Sequence, residues 1–304
     1  MYGKKTDESK SKMNLARKVG TKYRQIELVS FGDRIPNGNF TIHSRFRRTI
    51  NFCNNSMLIS VVSQDIGEGP FNIIVHGFDL KQINSLSVLN NIITINNSSL
   101  IMFEALKYTS KFSLQSINKV VLTDNLSLLE RILVMLGSEK SLCFLLDEKR
   151  EQYFKSCFEK EFVKRMKSSA SLILKGEIED LIEGVSRIKG CGFGLTPSGD
   201  DFLFGLLSGL YVKQEIEGND LSEVRKMIYT NAQGENLISN SYFTTAYQGL
   251  FSERFKNFIL SLLFENNDTL IFHIKSLLNI GATSGADTLV GFIFAWKRAG
   301  ELWS

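Results

Sequence analysis

The sequence predicts an α+β protein, with an N-terminal antiparallel β-rich domain (a small barrel or sheet) followed by a C-terminal α-helical domain. In the first half, short segments rich in β-branched and aromatic residues alternate with Asn, Ser and Gly turns. In the second half, helix formers carry apolar residues at helical spacing, and Pro197 interrupts no predicted helix. We therefore divide the chain into a basic flexible leader (1–24), a β-rich domain with a connecting segment (25–148) and a helical domain (149–304).

The elements follow in order along the chain. Strands are predicted at residues 40–52, 57–62 and 71–76, and a hairpin at 91–95 and 98–103, where Asn96 and Asn97 form the turn. In the connecting segment we predict a helix at 126–136 and a strand at 141–146. The remaining predicted helices cover residues 149–175, 177–188, 198–214, 220–231, 235–249, 252–264, 267–278 and 285–300.

Composition and charge exclude several classes of function. The chain has 304 residues and a formal net charge of +4. Residues 1–24 hold eight Lys or Arg against two acidic residues, so the rest of the chain has a slight negative excess. A nucleic-acid partner, which needs a basic face on the folded domain, is therefore not expected. Apolar runs are too short for a membrane span. The four cysteines show no C-x-x-C spacing, which favours a reducing cytoplasm.

Two glycine-rich strings in the helical domain repeat one another. They share the pattern G-x-T-(P)-S-G-x-D-x-L-x-G once Pro197 is set aside. The matched pairs are Gly194/Gly281, Thr196/Thr283, Ser198/Ser284, Gly199/Gly285, Asp201/Asp287, Leu203/Leu289 and Gly205/Gly291. The repetition indicates either an internal duplication or the convergent use of one local structural motif.

Each string is typical of a helix N-terminus. Ser followed by Asp three residues later has the spacing of a capping box, and the free N–H groups of such an end attract anions. Gly199 and Gly285 leave space for a ligand or for another backbone. Small residues continue at helical spacing beyond each Asp, so we expect the two helices to pack together and to bring both S-G-x-D ends into one pocket. The alternative is that both strings are only well-capped helix starts beside tight turns.

The first string, residues 192–205, resembles the signature of the AllH-like family, formerly a domain of unknown function. Residues 281–287 are similar to the family's C-terminal motif, and residues 42–46 to its N-terminal His-Ser-x-Phe segment. Ser239 and residues 246–249 resemble its Ser…Ala-x-x-Gly helix. The resemblance covers about residues 25–300. It implies a subunit of oxamate carbamoyltransferase in anaerobic allantoin breakdown and purine catabolism. The implied reaction converts oxalurate and phosphate into oxamate and carbamoyl phosphate.

The resemblance also implies partners and a substrate class. The enzyme would be a hetero-oligomer with two other types of subunit, one of them similar to acyl-CoA synthetases. Its substrates carry an anionic end, which suits helix-end amides, and a carbamoyl NH₂ group, which suits ionised carboxylates. We assign catalytic roles to Asp200, Asp201 and Asp287. The predicted substrate-binding residues are Gly194, Thr196, Ser198, Gly199, Thr283, Ser284, Gly285, His43, Ser44 and Arg45.

Three aspartates would repel an anionic substrate. Their negative charge must therefore be balanced by amide donors, by a nearby Lys or Arg, or by a bound cation such as Mg²⁺. No other cofactor is predicted. Alternation predicts that His43, Arg45 and Arg47 share one strand face and supply cationic groups; a solvated outer face is the alternative. Two further functions stay open: a non-catalytic assembly subunit whose glycine-rich helices form a protein interface, and a regulator that binds small acids.

Overall fold

The computed structural model describes residues 26–54, 57–111, 118–264 and 267–297. In these ranges a β-rich part comes first and a helical part follows, so the predicted α+β class is confirmed. The predicted basic leader lies outside the described residues.

The β-rich part is one curled sheet of nine described strands, in the order β8-β7-β6-β2-β3-β4-β5-β1-β9. Only the β4–β5 and β1–β9 pairs are parallel. The sheet curls until β8 approaches β1, and apolar side chains such as Phe52, Ile59 and Ile73 fill its interior. The strands are β1 (Glu27–Gly32), β2 (Gly38–Arg45), β3 (Thr49–Asn54), β4 (Met57–Val62), β5 (Asn72–His76), β6 (Leu86–Leu89), β7 (Ile92–Ile95), β8 (Ser98–Ile101) and β9 (Leu106–Tyr108).

The segment predicted as one strand at 40–52 is two antiparallel strands, β2 and β3. The Phe46 amide donates to the Thr49 carbonyl at 2.8 Å and closes the turn between them. Arg47 lies in this turn, and a bulge follows Ile42 in β2. The prediction that His43, Arg45 and Arg47 share one strand face is therefore wrong, because both the turn and the bulge interrupt the alternation.

The helical part has nine described α-helices. They are α1 (Lys119–Leu136), α2 (Cys157–Lys175), α3 (Ile178–Ile188), α4 (Ser198–Glu217), α5 (Ser222–Ala232), α6 (Leu237–Gln248), α7 (Glu253–Phe264), α8 (Asn267–Leu278) and α9 (Ser284–Phe294). The predicted limits of α3 to α8 agree with the structure within three residues.

Two local predictions are wrong. The predicted strand at 141–146 is a 3-10 turn, Leu142–Leu145, whose first three residues are all buried, whereas a half-buried strand buries alternate residues. The predicted helix at 149–175 begins only at Cys157. There a capping box joins Ser156 and Glu159, and a separate 3-10 segment, Glu148–Tyr153, precedes it.

The core of the helical part surrounds α4, which is buried along most of its length. Helix α9 packs along α4 as the most extensive helix pair in the described ranges. Helix α1 and the Leu142–Leu145 turn contribute to the same core. The division of the chain at residue 148 stays a prediction, and this packing favours a boundary near residue 110.

Hydrogen bonds join the two parts around the start of α7. The Tyr108 hydroxyl donates to the Phe251 carbonyl at 2.8 Å, and the Glu253 amide to the Glu68 carbonyl at 3.0 Å. Helix α6 lies beside β4. It packs against the outer face of the sheet. Leu58 and Val62 on this face are buried, although they do not belong to the apolar core inside the curled sheet. In the described residues, no helix combines the length and the apolar character that membrane crossing requires.

Candidate functional site

Helices α4 and α9 meet through the glycines of the two strings. A Cβ atom on Gly205 would lie 1.9 Å from the Thr288 carbonyl oxygen, and one on Gly291 would lie 2.0 Å from the Phe202 carbonyl oxygen. Phe202 and Thr288 are equivalent positions of the repeat. The contact is therefore reciprocal, as a local two-fold relation requires, and the predicted packing of the two helices is confirmed.

Gly199 and Gly285 accommodate protein backbone. A Cβ atom on Gly199 would lie 2.0 Å from the Ile188 carbonyl oxygen, and one on Gly285 would lie 1.9 Å from the Leu277 carbonyl oxygen. Their own amides donate to loop carbonyls, at 2.8 Å for Gly199 and 3.1 Å for Gly285. Of the two occupants predicted for these positions, another backbone is the one found, and these two amides are not free to bind an anion.

Asp287 is completely buried, and its Oδ1 accepts the Leu142 amide at 2.6 Å. Burial raises the pKa of its carboxyl to about 7. The Leu142 amide and the hydroxyls of Ser198 and Thr283 oppose this rise, because they stabilise the ionised form. Asp287 therefore exchanges its proton at a much higher pH than an exposed carboxyl does.

Asp201, at the equivalent position of α4, is 7% exposed. Burial raises the pKa of this carboxyl well above its usual range, and the negative charge of Asp287 raises it further. The hydroxyls of Ser284 and Thr196 act in the opposite direction. Among the described residues, Oδ2 of Asp201 and Oδ2 of Asp287 are both buried without a hydrogen-bond partner. The two carboxyls thus form a coupled pair with unused hydrogen-bonding capacity.

The serines of the two strings act across the helix pair. Ser198 of α4 interacts with Asp287 of α9, and Ser284 of α9 interacts with Asp201 of α4. The N-cap positions are Pro197 and Thr283, and neither cap makes a side-chain hydrogen bond. The predicted capping boxes are therefore wrong, because the opposite helix offers each serine a buried carboxyl that solvent does not reach.

Asp200 points away from the pair and binds a loop. Its Oδ1 accepts the Gly190 amide at 2.7 Å, which holds the start of the first glycine loop. In that loop, Gly192 packs closely against Ser198, and Gly281 packs in the same way against Ser284. A Cβ atom added to either glycine would crowd the neighbouring serine. Gly194, which the sequence alignment matched to Gly281, is exposed in the same loop.

The predicted residues of the β-rich part divide into two groups. Ser44 belongs to a polar row on β2, β3 and β4. Asn51 donates to the Ser44 hydroxyl at 3.0 Å and accepts from the Ser60 hydroxyl at 2.7 Å, while the His43 ring lies 3.1 Å from the same Ser44 oxygen. Ser60 shares the outer face with Leu58 and Val62, beside α6. Arg45 instead donates to the Ile83 carbonyl at 2.5 Å and to Asn84 at 2.9 Å, on the β5–β6 connection.

Two residues that interact with the pair were not predicted from the sequence. The Leu142 contact uses a backbone amide, so no side-chain signal could have revealed it. Tyr242 on α6 is the other residue, and its side chain was not predicted to belong to the site. Its ring lies 5.6 Å from that of Phe204, one turn beyond Asp201, and burial together with the charge of Asp201 raises the pKa of its phenol.

Metal and cation binding gain no support from the described residues. No group of three or more His, Cys, Asp or Glu side chains among them could hold a metal ion. No Lys or Arg contributes to the pKa shifts of Asp201 or Asp287. Clefts of about 350 and 530 Å³ lie along α1, away from both strings. The strings meet as predicted, but around buried carboxyls, and Mg²⁺ stays a prediction.

The fold and the site define an α+β protein whose helical part holds a buried carboxyl pair at two helix starts of repeated sequence. Comparison with protein families identifies this class. The family described as oxamate carbamoyltransferase subunit AllH matches residues 188–296, and the AllH family N-terminal domain matches residues 22–116. The chain belongs to the AllH family. No solved structure matches the chain.

Proposed function

We propose that the chain is a substrate-binding subunit of an oxamate carbamoyltransferase, with its site at the adjoining N-terminal ends of α4 and α9. One observation carries this proposal: two buried carboxyls interact electrostatically, and each keeps an oxygen without a partner among the described residues. An unpaired buried polar atom is unfavourable by roughly 1–3 kcal/mol. A ligand that donates and accepts hydrogen bonds at this point would remove that penalty.

The expected reaction needs both a donor and an acceptor of protons. An oxygen of hydrogen phosphate forms a bond to the carbamoyl carbon of oxalurate, and the bond from that carbon to the oxamate nitrogen breaks. Phosphate loses its proton, and the departing nitrogen gains one. Two coupled carboxyls that differ in protonation can carry out this exchange.

The structure favours a particular order of protonation within the pair. Burial and the negative charge of Asp287 both raise the pKa of Asp201, which favours its protonated form, and a protonated carboxyl can donate a hydrogen bond. Burial raises the pKa of Asp287 to about 7, so this carboxyl can exchange its proton near neutral pH. We assign Asp201 to the carbonyl or leaving nitrogen and Asp287 to proton uptake.

The anionic end of the substrate requires other groups. The Gly199 and Gly285 amides are already bonded, so we assign the anion to the field of the two helix N-terminal ends. The hydroxyls of Thr196 and Thr283, which interact with Asp201 and Asp287, would turn toward the anion when it binds. Ser198 and Ser284 hold the carboxyls. His43 and Ser44 remain candidates from the sheet face beside α6, and Arg45 a more distant one. The partner subunits and the place in allantoin breakdown rest on the family resemblance.

The test reconstitutes the chain with its co-purifying subunits and measures oxalurate formation from oxamate and carbamoyl phosphate. Asp201→Asn and Asp287→Asn keep the shape of each side chain and remove its proton exchange, so we expect each to reduce the rate at least 100-fold. Asp180→Asn, at the surface of α3, is the matched control. Activity that survives both substitutions in an assembled complex would remove this pair from the mechanism.

A second function, non-catalytic assembly, is favoured by apolar surface at the first glycine loop. Phe193 is 71% exposed, and its ring lies 5.5 Å from that of Phe158, which is also exposed. If assembly is the main role, Phe193→Ser should abolish co-purification while the carboxyl variants leave activity unchanged. Oxamate binding without any carbamoyl transfer by the reconstituted complex would instead favour the small-acid regulator.

A further inference from the structure

Helix α6 has polar groups on the side that meets α4. Ser239 and Tyr242 are three residues apart and share one face of α6. Tyr242 contacts Phe204 of α4, so this face is directed toward the first turns of α4. The start of α6 is fixed to the first glycine loop, because the Asn236 side chain donates to the Leu195 carbonyl at 2.8 Å.

Ser239 has an unused hydroxyl. The residue is 2% exposed, and its Oγ has no hydrogen-bond partner among the described residues. A buried serine in a helix usually bonds to a carbonyl one turn earlier, as Ser208 does with Phe204 at 2.8 Å. Ser239 therefore leaves a buried donor and acceptor available on the face that α6 presents to α4.

Tyr242 lies at the protein surface against the first turns of α4. It is 48% exposed, yet its phenol is close enough to Asp201 to respond to that charge. Asp201 itself contributes an unpartnered oxygen. An unpartnered carboxyl oxygen on α4 and an unpartnered hydroxyl on α6 thus lie on two helices that pack together, with the half-exposed Tyr242 ring at their contact.

We propose that Ser239 and Tyr242 form the wall of the site opposite Asp201 and determine specificity for the amide group of oxamate. The Tyr242 hydroxyl donates to the amide carbonyl, and the Ser239 hydroxyl accepts from the NH₂ group. This assignment rests on the proposed function. It predicts selection against pyruvate, which carries a methyl group in place of the NH₂ group and leaves buried polar atoms unpaired.

The experiment measures oxamate and pyruvate binding to the assembled complex by calorimetry, for the wild type, Tyr242→Phe and Ser239→Ala. Each variant should weaken oxamate binding about 3- to 10-fold, as expected for one neutral hydrogen bond, and Ser239→Ala should reduce the preference for oxamate over pyruvate. Tyr247→Phe, on the same helix, and Ser261→Ala, a buried serine bonded to Phe258, are matched controls that should bind as the wild type does.

The outcomes separate the two proposals. A wild-type complex that binds no oxamate would contradict the proposed function and, with it, this assignment. A wild type that binds oxamate while both variants keep its affinity and its preference would contradict the α6 assignment alone. Circular dichroism of each variant checks the fold, and a misfolded Ser239→Ala is replaced by Ser239→Cys, which keeps the size of the side chain, hydrogen-bonds only weakly and should show the same losses.

Discussion

Ser198 interacts with the carboxyl of Asp287, which lies on a different helix and 89 positions further along the chain, although Asp201 of its own helix is only three residues away. Ser284 and Asp201 show the same crossed relation. Each glycine-rich string therefore supplies the serine that interacts with the aspartate of the other string.

Crossed pairing can be tested by double-mutant cycles. We expect Ser198→Ala to couple with Asp287→Asn, and Ser284→Ala with Asp201→Asn, by roughly 0.5–3 kcal/mol in the free energy of unfolding. The uncrossed pair Ser198→Ala with Asp201→Asn should show weaker coupling. Urea denaturation of the single and double variants measures these energies. Stronger coupling within each string than between strings would contradict the crossed arrangement.

Gly205→Ala and Gly291→Ala should destabilise the helical domain. Each added methyl group would overlap a carbonyl oxygen of the opposite helix at about 2 Å. We expect a loss of about 1–3 kcal/mol or more in the free energy of unfolding. Gly234→Ala is the matched control, because its Cβ would meet only the Lys189 side chain at 3.5 Å. Equal stability of all three variants would show that α4 and α9 are less closely packed.

The carboxyl pair should make stability depend on pH. The pKa of Asp287 is about 7 in the folded protein against an ordinary value of 3.8, so the folded state binds more protons between these values. Stability should therefore fall as pH rises from about 4 to about 7, by on the order of 3–4 kcal/mol for this group alone. Asp201 changes stability in the same direction. Denaturation of the wild type and of Asp287→Asn across this range gives the comparison.

The substitution Asp287→Asn should remove the share of this pH dependence that comes from Asp287, because its amide does not titrate, while the share of Asp201 remains. Asp180→Asn should leave the dependence as it is in the wild type. A wild-type stability that rises between pH 4 and 7, with no difference in Asp287→Asn, would mean that Asp287 is ionised in the folded protein.

Tyr108→Phe should loosen the contact between the two parts of the chain. It removes a buried hydroxyl that donates to the Phe251 carbonyl, while the aromatic ring beneath Lys256 is retained. We expect a loss of about 1 kcal/mol, visible as faster proteolytic cleavage between residues 109 and 118. Tyr153→Phe serves as the control. Unchanged cleavage would indicate that other contacts alone hold the two parts together.

Patterns in the amino-acid sequence were sufficient to predict part of this structure. Apolar periodicity located α3 to α8, and the repeated string predicted that α4 and α9 would meet. The same patterns could not reveal the partner of each serine, because that choice depends on burial by a helix distant in the chain. The Leu142 amide, 145 positions from Asp287, and the position of Tyr242 on α6 are consequences of tertiary packing. Strands β1, β6 and β9 were also missed. Strands β6 and β9 have only four and three residues and give little alternation, and the register of β1 shifts between Leu28 and Ser30.

The reciprocal contact of α4 and α9 has the geometry of a symmetric dimer interface contained in one polypeptide. Its two halves cannot dissociate, so the pairing does not depend on protein concentration. A symmetric homodimer must carry every substitution twice, whereas here each half can change separately. Because the two halves are covalently linked, one half can acquire a neighbour, such as α6, that the other half lacks. The equivalent carboxyls of Asp201 and Asp287 can therefore differ in proton affinity.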